Sequence, residues 1–384
     1  MNPVYLDHAA TTPIRDEVRA AMEPFSSEVF GNPSSLHRWG RAAEAALEDA
    51  RDKLASAIGA KPTEVRFVRG GTESDNLAIM GSCAALKAAG GAPTMAVTSI
   101  EHAAVLESAA HLETTGVANV VTLAVTPQGE LDLDELGRVV EGSPAVVSVM
   151  WVNNETGIVL PVAEAAALAR AAGATMHTDA SQALGKVPVH VGEVPVDLLT
   201  ATGHKINGPK GAGILFVREG TALSPLLHGG GQEHALRPGT EDVAGAVGLA
   251  VAVALAVDEQ EATSVRLRAL RDALERGLAD AIPGIRINGS DAPRAPHITS
   301  VGIDGVRDGE AILMGLDLEG VAASGGSACQ SGTGRSSHVI AALYGADDPL
   351  TTVRFSFGRT SEPADIQRAI EVTTQVVERL RAAS

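Results

Sequence analysis

The chain has 384 residues, with 30 Lys and Arg against 47 Asp and Glu, so its formal net charge is −17. This charge argues against a nucleic-acid duplex or an anionic membrane as the main partner, and the length predicts two or three domains. Two cysteines, Cys83 and Cys329, exclude a disulfide framework, although a single bridge between them stays arithmetically possible. We expect a reduced protein of the cytoplasm.

No stretch of the sequence predicts membrane insertion. The first thirty residues carry charged side chains throughout, which leaves no room for the apolar part of a signal peptide. The longest apolar run, 243–257, has 15 residues, fewer than the roughly 18 that a membrane span needs. We interpret it as a buried helix.

Short β-branched runs alternate with Ala- and Leu-rich stretches through the first two thirds of the chain. Strands are predicted over 64–68, 94–99, 117–125, 145–150, 175–177, 196–200 and 214–217, and helices over 72–89, 103–114, 133–140 and 162–172. This alternation predicts an α/β fold with a mostly parallel central sheet and helices on both faces.

The pattern changes after a long helix predicted from about 242 to 277. Strands over 285–288, 297–303 and 353–357 and helices over 309–316 and 362–382 follow, as is typical of a smaller α+β domain. We assign 14–257 to a large domain that would bind a ligand. The small domain would comprise 1–13 and 258–384 and carry a Gly- and Ser-rich loop, 323–337.

Polar clusters follow the predicted strands of the large domain at 70–73, 101–102, 153–155 and 177–182. In open parallel sheets, ligands bind beyond the carboxyl ends of the strands. The coincidence of four such clusters therefore predicts a ligand site at that edge. No metal site is expected there.

The cluster at 70–73 has two readings. Glycine amides and the Thr72 hydroxyl at a helix N-terminus indicate an anion site. The alternative is a tight turn in which Thr72 caps the helix and Asp75 completes a capping box.

Three ionisable side chains, two in these clusters and one in the turn 202–205, each have a functional and a structural interpretation. Lys205 lies between glycines that allow a ligand to approach, and a desolvated lysine amine forms Schiff bases, although most lysines are solvated surface residues. Asp179 ends a strand and would pair with a buried cationic nitrogen or cap the next helix. His102 would stack on a flat ring and shuttle protons, or simply pack.

The small domain adds two candidate residues. Cys329 lies among glycines and serines, which is typical of an exposed reactive thiol rather than of a core cysteine. Cys83 lies between Ala and Leu and is predicted to be buried. Arg354 lies in a core strand, where it would bind a substrate carboxylate or form a structural ion pair.

Together, the motifs resemble those of the cysteine desulfurases, which are fold-type-I pyridoxal-phosphate enzymes related to the class V aminotransferases. The matching stretches run nearly from end to end, at 5–13, 31–35, 71–76, 101–102, 152–157, 179–182, 203–205, 229–233, 237–240, 326–329 and 354–356. The resemblance implies a fold-type-I architecture with pyridoxal 5'-phosphate as the cofactor.

The resemblance also implies the roles of the cofactor-binding residues. Lys205 would carry the cofactor as a Schiff base, and His102 would stack on its ring and relay protons. Asp179 would hold the pyridinium nitrogen and Gln182 the phenolic oxygen, with Asn154 close to cofactor and substrate.

By the same resemblance, five residues would bind the cofactor phosphate. Four of them, Gly71, Thr72, Thr202 and His204, come from one subunit. Thr240 would come from the neighbouring subunit, which implies an obligate homodimer.

The implied substrate is L-cysteine, whose carboxylate would bind Arg354 with Asn32. Cys329 would be the nucleophile that takes the sulfur as a persulfide and leaves L-alanine. The long stretch after Cys329 is similar to the iron–sulfur-cluster and nitrogen-fixation branch of the family. Because residues 330–335 depart from that branch, the sulfur-acceptor protein stays open between an iron–sulfur scaffold, a tRNA-thiolating enzyme and a cofactor-biosynthesis carrier.

Two alternatives remain at this point. The first is another reaction on the same scaffold, as in a selenocysteine lyase or an aminotransferase, although an aminotransferase needs no loop thiol. The second is a non-catalytic binding protein with a decayed site, although Lys205, Asp179, His102 and Cys329 are all present.

Overall fold

The computed structural model describes residues 3–141, 144–306, 308–326 and 337–383. The strands are β1 Val4–Tyr5, β2 Val65–Val68, β3 Thr94–Thr98, β4 Asn119–Leu123, β5 Ala145–Ser148, β6 Thr175–Asp179, β7 Leu198–Thr202, β8 Gly213–Val217, β9 Ile285–Ile287, β10 Ile298–Ile303, β11 Val321–Ala322 and β12 Thr351–Ser356. The helices are α1 Asp16–Met22, α2 Arg38–Ile58, α3 Gly71–Ala88, α4 Ala103–Thr114, α5 Leu133–Val140, α6 Val162–Ala172, α7 Val243–Asp258, α8 Gln260–Ala281, α9 Gly309–Leu318, α10 His338–Tyr344 and α11 Pro363–Ala383.

A seven-stranded sheet with the order β2-β8-β7-β6-β5-β3-β4 forms the centre of the fold. The five strands from β7 to β4 are parallel, and β8 is antiparallel to both of its neighbours. The residues of β5, β7 and β8 are all buried, as expected for strands covered by helices on both faces. The predicted fold class is confirmed.

Two smaller sheets lie apart from the central one. Strands β12, β10 and β9 form an antiparallel sheet, and β1 pairs in parallel with β11. Val4 and Leu6 near the N-terminus pack in the same apolar cluster as the buried face of α8 and α11. A separate, larger apolar cluster surrounds the central sheet. The domain boundaries stay a prediction.

The single helix predicted from 242 to 277 is wrong. Helices α7 and α8 are separate and bent by 72° at Glu259, whose carboxylate accepts hydrogen bonds from Arg15 at 2.8 and 3.0 Å. The physical reason is that α7 packs in the cluster around the central sheet, whereas α8 packs in the other cluster. No single helix among the described residues is long and apolar enough to cross a membrane, and only the bent pair α7–α8 passes that test, by length and composition.

A buried ion pair fixes the outermost strand β2 to the body of the fold. Arg51 in α2 and Glu233 meet at 2.8 and 2.9 Å, and their side chains are 7% and 2% exposed. Glu233 also accepts from the Phe67 amide, and Arg51 donates to the Val65 carbonyl. One charge pair therefore satisfies backbone groups of an edge strand.

Removing Arg51 is expected to destabilise the protein strongly. In Arg51→Ala the Glu233 carboxylate stays buried without its cation, which costs about 3–5 kcal/mol of unfolding free energy. Urea unfolding followed by circular dichroism measures this loss. The control is Lys61→Ala, which breaks the exposed pair with Glu219 and should leave the curve unchanged. Equal losses of unfolding free energy in Arg51→Ala and Lys61→Ala would contradict the stabilising role of the buried pair.

Candidate active site

The predicted polar clusters meet at the carboxyl edge of the central sheet. Strand β6 ends at Asp179 and β7 ends at Thr202. His102 follows β3 and Asn154 follows β5. Because these strands are parallel, their carboxyl ends share one edge, which is where open α/β sheets bind ligands.

The N-terminus of α3 forms a cradle at this edge. Gly70 is the N-cap residue, with φ of +120°, and has no side chain to bind the first amides of the helix. A Cβ on Gly71 would lie 3.4 Å from Ser181 Oγ and 3.9 Å from Thr202 Cβ. The interpretation of Thr72 as the cap is wrong, since Thr72 lies inside the first turn and Asp75 is buried. Unpaired amides at a helix N-terminus bind anions.

Ser181 is the residue of this cradle that the sequence analysis missed. Its Oγ is buried and has no hydrogen-bond partner among the described residues. A buried hydroxyl normally has a partner, so this atom points to a ligand that accepts from it. The only signal in the sequence is its place two residues after Asp179.

Asp179 is 7% exposed, and the Ser181 amide anchors one of its oxygens, Oδ1, at 2.8 Å. The other oxygen, Oδ2, has no hydrogen bond to the described residues. Asp179 therefore presents an oriented carboxylate oxygen that suits a cationic nitrogen. The capping alternative receives no support, because only a turn follows β6.

Two neighbouring carboxyl groups are buried more deeply than Asp179. Burial raises the pKa of Glu101 to about 8, and the negative charge of Asp179 acts in the same direction. Burial and then the charge of Asp179 also raise the pKa of Asp75 well above its usual value. The raised pKa values favour the protonated form of both groups, so they compete less than Asp179 for a cation.

His102 caps α4 with its ring. Nδ1 accepts a hydrogen bond from the Ala104 amide at 3.1 Å, which leaves Nε2 as the nitrogen that carries the proton in the neutral ring. Burial lowers the pKa of His102, while the charge of Asp179 raises it and that of Lys205 lowers it. His102 is therefore a neutral imidazole beside both charged groups.

Lys205 follows β7 in a short 3-10 turn, Gly203–Lys205. Its Nζ donates to the carbonyls of Ala9 and Ala10, the latter at 2.8 Å. Gln182 Nε2 also donates to the Ala9 carbonyl, at 2.9 Å. The two predicted residues thus meet at one backbone oxygen of the N-terminal segment.

Two further residues predicted to bind the phosphate, Thr202 and His204, form hydrogen bonds to other residues of this chain. Thr202 Oγ1 donates to the Ala212 carbonyl at 3.3 Å, and His204 Nδ1 lies 3.3 Å from Thr11 Oγ1. Burial, together with the positive charges of Lys205 and Lys210, lowers the pKa of His204 to about 4.

Arg354 is 2% exposed and has protein partners for two of its three nitrogens. Nη2 forms an ion pair with Asp7 at 2.7 Å, and Nη1 donates to the carbonyls of Asn154 and Gly326, both at 2.9 Å. Nε has no partner among the described residues. The structural ion pair that the sequence left as an alternative is present, with Asp7 as the carboxylate.

The predicted roles of three further residues involve the substrate, the cofactor or a second subunit, so contacts within the described chain do not show them. Asn32 Oδ1 accepts from the Ser34 amide, and no hydrogen bond among the described residues joins Asn32 to Arg354. Asn154 contacts Arg354 through its backbone carbonyl. Thr240 is exposed on the surface.

Of the two cysteines, the structure describes Cys83, which is buried as predicted. Cys83 is fully buried in α3, and burial raises the pKa of its thiol to about 12. A thiol that holds its proton this firmly is inert. Cys329 lies outside the described residues.

Comparisons with known proteins agree with this geometry. The family described as aminotransferase class-V matches residues 4–369. Cysteine desulfurase IscS of Dictyoglomus turgidum is 42% identical, over 99% of this chain and 96% of its own length. The chain belongs to the cysteine desulfurases of the class-V aminotransferase family. The family predicted from the motifs is therefore confirmed.

Solved structures show the same likeness. A structure titled NifS-like protein aligns with a TM-score of 0.89 and 31% identity, over 98% of this chain and all of its own. A second, titled SspA in complex with cysteine, aligns with a TM-score of 0.79 and 31% identity, over 92% of this chain and 98% of its own. Chains of this family are pyridoxal-phosphate enzymes.

The buried carboxyl of Glu101 predicts a pH-dependent stability. Its folded pKa is raised from 4.5 to about 8, so the folded state holds a proton that the unfolded state releases above about pH 4.5. The stabilisation is present below the unfolded pKa and is lost as the pH rises towards 8, by about 1.4 kcal/mol per pH unit.

Glu101→Gln mimics the protonated side chain and removes this loss. The unfolding free energy of the variant minus that of the native chain should therefore increase from pH 5 to pH 8 in urea titrations. Glu107→Gln, exposed on α4, is the charge-neutralising control. A Glu101→Gln difference that stays constant over this range would show that Glu101 is ionised in the folded protein.

Proposed function

We propose that this chain removes sulfur from L-cysteine in the cytoplasm with pyridoxal 5'-phosphate, giving L-alanine and a persulfide on Cys329. The observation that carries the proposal is the convergence of Lys205, Asp179 and the Gly71–Ser181 cradle at one edge of the sheet. Each has the chemistry that one part of this cofactor requires.

The residues present fit the cofactor. The cradle offers helix amides and the Ser181 hydroxyl to a phosphate, and Asp179 offers an oriented oxygen to the ring nitrogen. Lys205 offers an amine to the aldehyde. When bound, the cofactor supplies an electron sink for bond cleavage at the substrate.

The side chains of the site would divide the remaining work. Asp179 would keep the ring nitrogen protonated, and His102 would stack on the ring and hold a proton at Nε2. Gln182 would bind the phenolic oxygen, for which its Nε2 must turn from the Ala9 carbonyl. Thr202 and His204 would complete the phosphate site.

Arg354 would bind the carboxylate of L-cysteine, with Asn32 as a second donor. The guanidinium has Nε without a partner and Nη2 paired with Asp7, so the substrate would use Nε or displace Asp7. A bidentate guanidinium suits a carboxylate.

Cys329 would take the sulfur. Its thiolate attacks the substrate sulfur, and the new S–S bond forms as the substrate carbon–sulfur bond breaks. The electron pair stays with the carbon, which takes up a proton to become the methyl group of L-alanine. The persulfide would then pass to an acceptor protein, which could be an iron–sulfur scaffold, a tRNA-thiolating enzyme or a cofactor-biosynthesis carrier.

We extend the proposal to a homodimer with shared sites. Thr240 is exposed and follows Gly239, whose φ is +110°. In a dimer, Thr240 of one subunit would reach the phosphate site of the other, where Gly71 and Thr72 open α3.

The two cysteines provide the test. After treatment with L-cysteine, mass spectrometry should find the added sulfur on Cys329 of the holoenzyme. Cys329→Ala should keep the cofactor and the spectral response to L-cysteine but lose persulfide and sulfide, because no nucleophile remains. Cys83→Ala is the control and should retain turnover, since the Cys83 thiol is buried and protonated. Full turnover by Cys329→Ala, or sulfur found on Cys83, would refute the assignment.

A further inference from the structure

Glu155 is a buried acid with no role in the proposed chemistry. It lies in the turn after β5 and is 1% exposed. The turn itself is fixed by Asn153, whose Oδ1 accepts from the amides of Glu155 and Thr156 and from the Thr156 hydroxyl. The Glu155 carboxylate is therefore not needed to close its own turn.

The carboxylate instead contacts two residues that are distant in sequence. Oε2 accepts a hydrogen bond from the Ser337 hydroxyl. A Cβ on Gly326 would lie only 2.5 Å from the same oxygen, so Gly326 packs directly against it. A side chain at this position would displace the Glu155 carboxylate, and the φ of +103° also favours glycine.

Each of these two residues is further fixed by the protein. The Gly326 carbonyl accepts from Arg354 Nη1, and Ser324, two residues earlier, pairs with the Arg354 backbone at 2.6 and 3.1 Å. Ser337 caps α10 by accepting from the amides of Val339 and Ile340. Glu155 thus joins the ends of two separately anchored elements.

Gly326 and Ser337 are the described residues on either side of 327–336, the ten residues that contain Cys329. We propose that Glu155 is a positioning residue that holds both ends of this segment at one carboxylate, beside Arg354, so that the Cys329 thiol is presented to the substrate sulfur. The inference rests on the proposed role of Cys329.

The proposed anchoring would raise the effective concentration of the Cys329 thiol at the substrate sulfur. Cys329 follows Gly326 by three residues in the sequence, so the position of Gly326 limits where its thiol can reach. Bringing both ends of a segment together also removes part of its conformational entropy. A nucleophile held this way meets a bound substrate more often than one on a segment with a single fixed end.

The experiment compares Glu155→Ala and Gly326→Ala with Gly325→Ala as the matched control. A Cβ on Gly326 is pushed against Glu155, whereas one on Gly325 meets only Leu313 Cδ1, at 3.4 Å. Rapid-quench mass spectrometry of the holoenzyme gives the rate of persulfide formation in one turnover. Absorbance of the bound cofactor gives its content and the dissociation constant of L-cysteine.

We expect Glu155→Ala and Gly326→Ala to form the persulfide at least tenfold more slowly. Cofactor content and the dissociation constant of L-cysteine should stay within about threefold of the native values, which a general loss of structure would not allow. Gly325→Ala should form the persulfide at the native rate.

A persulfide rate within twofold of native in Glu155→Ala overturns the inference, as does an equal slowing in Gly325→Ala and Gly326→Ala. If Glu155→Ala does not fold, Gly326→Ala decides by the same criterion. Failure of the proposed function is a different result, because Cys329→Ala would then keep full turnover whatever Glu155 does.

Discussion

Asp179 lies at the end of β6, the middle strand of the central sheet, and is 7% exposed. Burial raises the pKa values of Asp75 and Glu101, and the negative charge of Asp179 raises them further. A buried charge is costly unless a counter-charge meets it. The raised pKa values of Asp75 and Glu101 favour their protonated forms, and Asp179 Oδ2 has no hydrogen bond to the described residues. The arrangement therefore suits a ligand that brings a cationic nitrogen. The other groups of the site lie around the Asp179 carboxylate, which needs this counter-charge.

The N-terminal segment connects that site to the second apolar cluster. Asp7 pairs with Arg354, and the Ala9 carbonyl accepts from both Lys205 and Gln182. A few residues at the start of the chain thus contact groups proposed to bind the cofactor and the substrate. Movement of this segment would alter both, so its strand pairing with β11 contributes to the geometry of the site.

The sequence predicts the parts of this structure that follow from local patterns. Alternating strands and helices predict the parallel sheet, and polar residues after strands predict which edge carries the site. The bend at Glu259 was missed because nothing local breaks the helix there, and its partner Arg15 is distant in sequence. Ser181 was missed for a similar reason, since its unpaired hydroxyl matters only because α3 begins beside it.

The central claim is that the carboxyl edge of the sheet holds the cofactor on Lys205. Borohydride fixes pyridoxal phosphate to the lysine that carries it, and peptide mapping by mass spectrometry then identifies that residue. Lys186 is the informative competitor, because burial lowers the pKa of its amine to about 8. We predict the label on the peptide that contains Lys205, with none on Lys186. A label on Lys186, or on any lysine away from the carboxyl edge, would contradict the account.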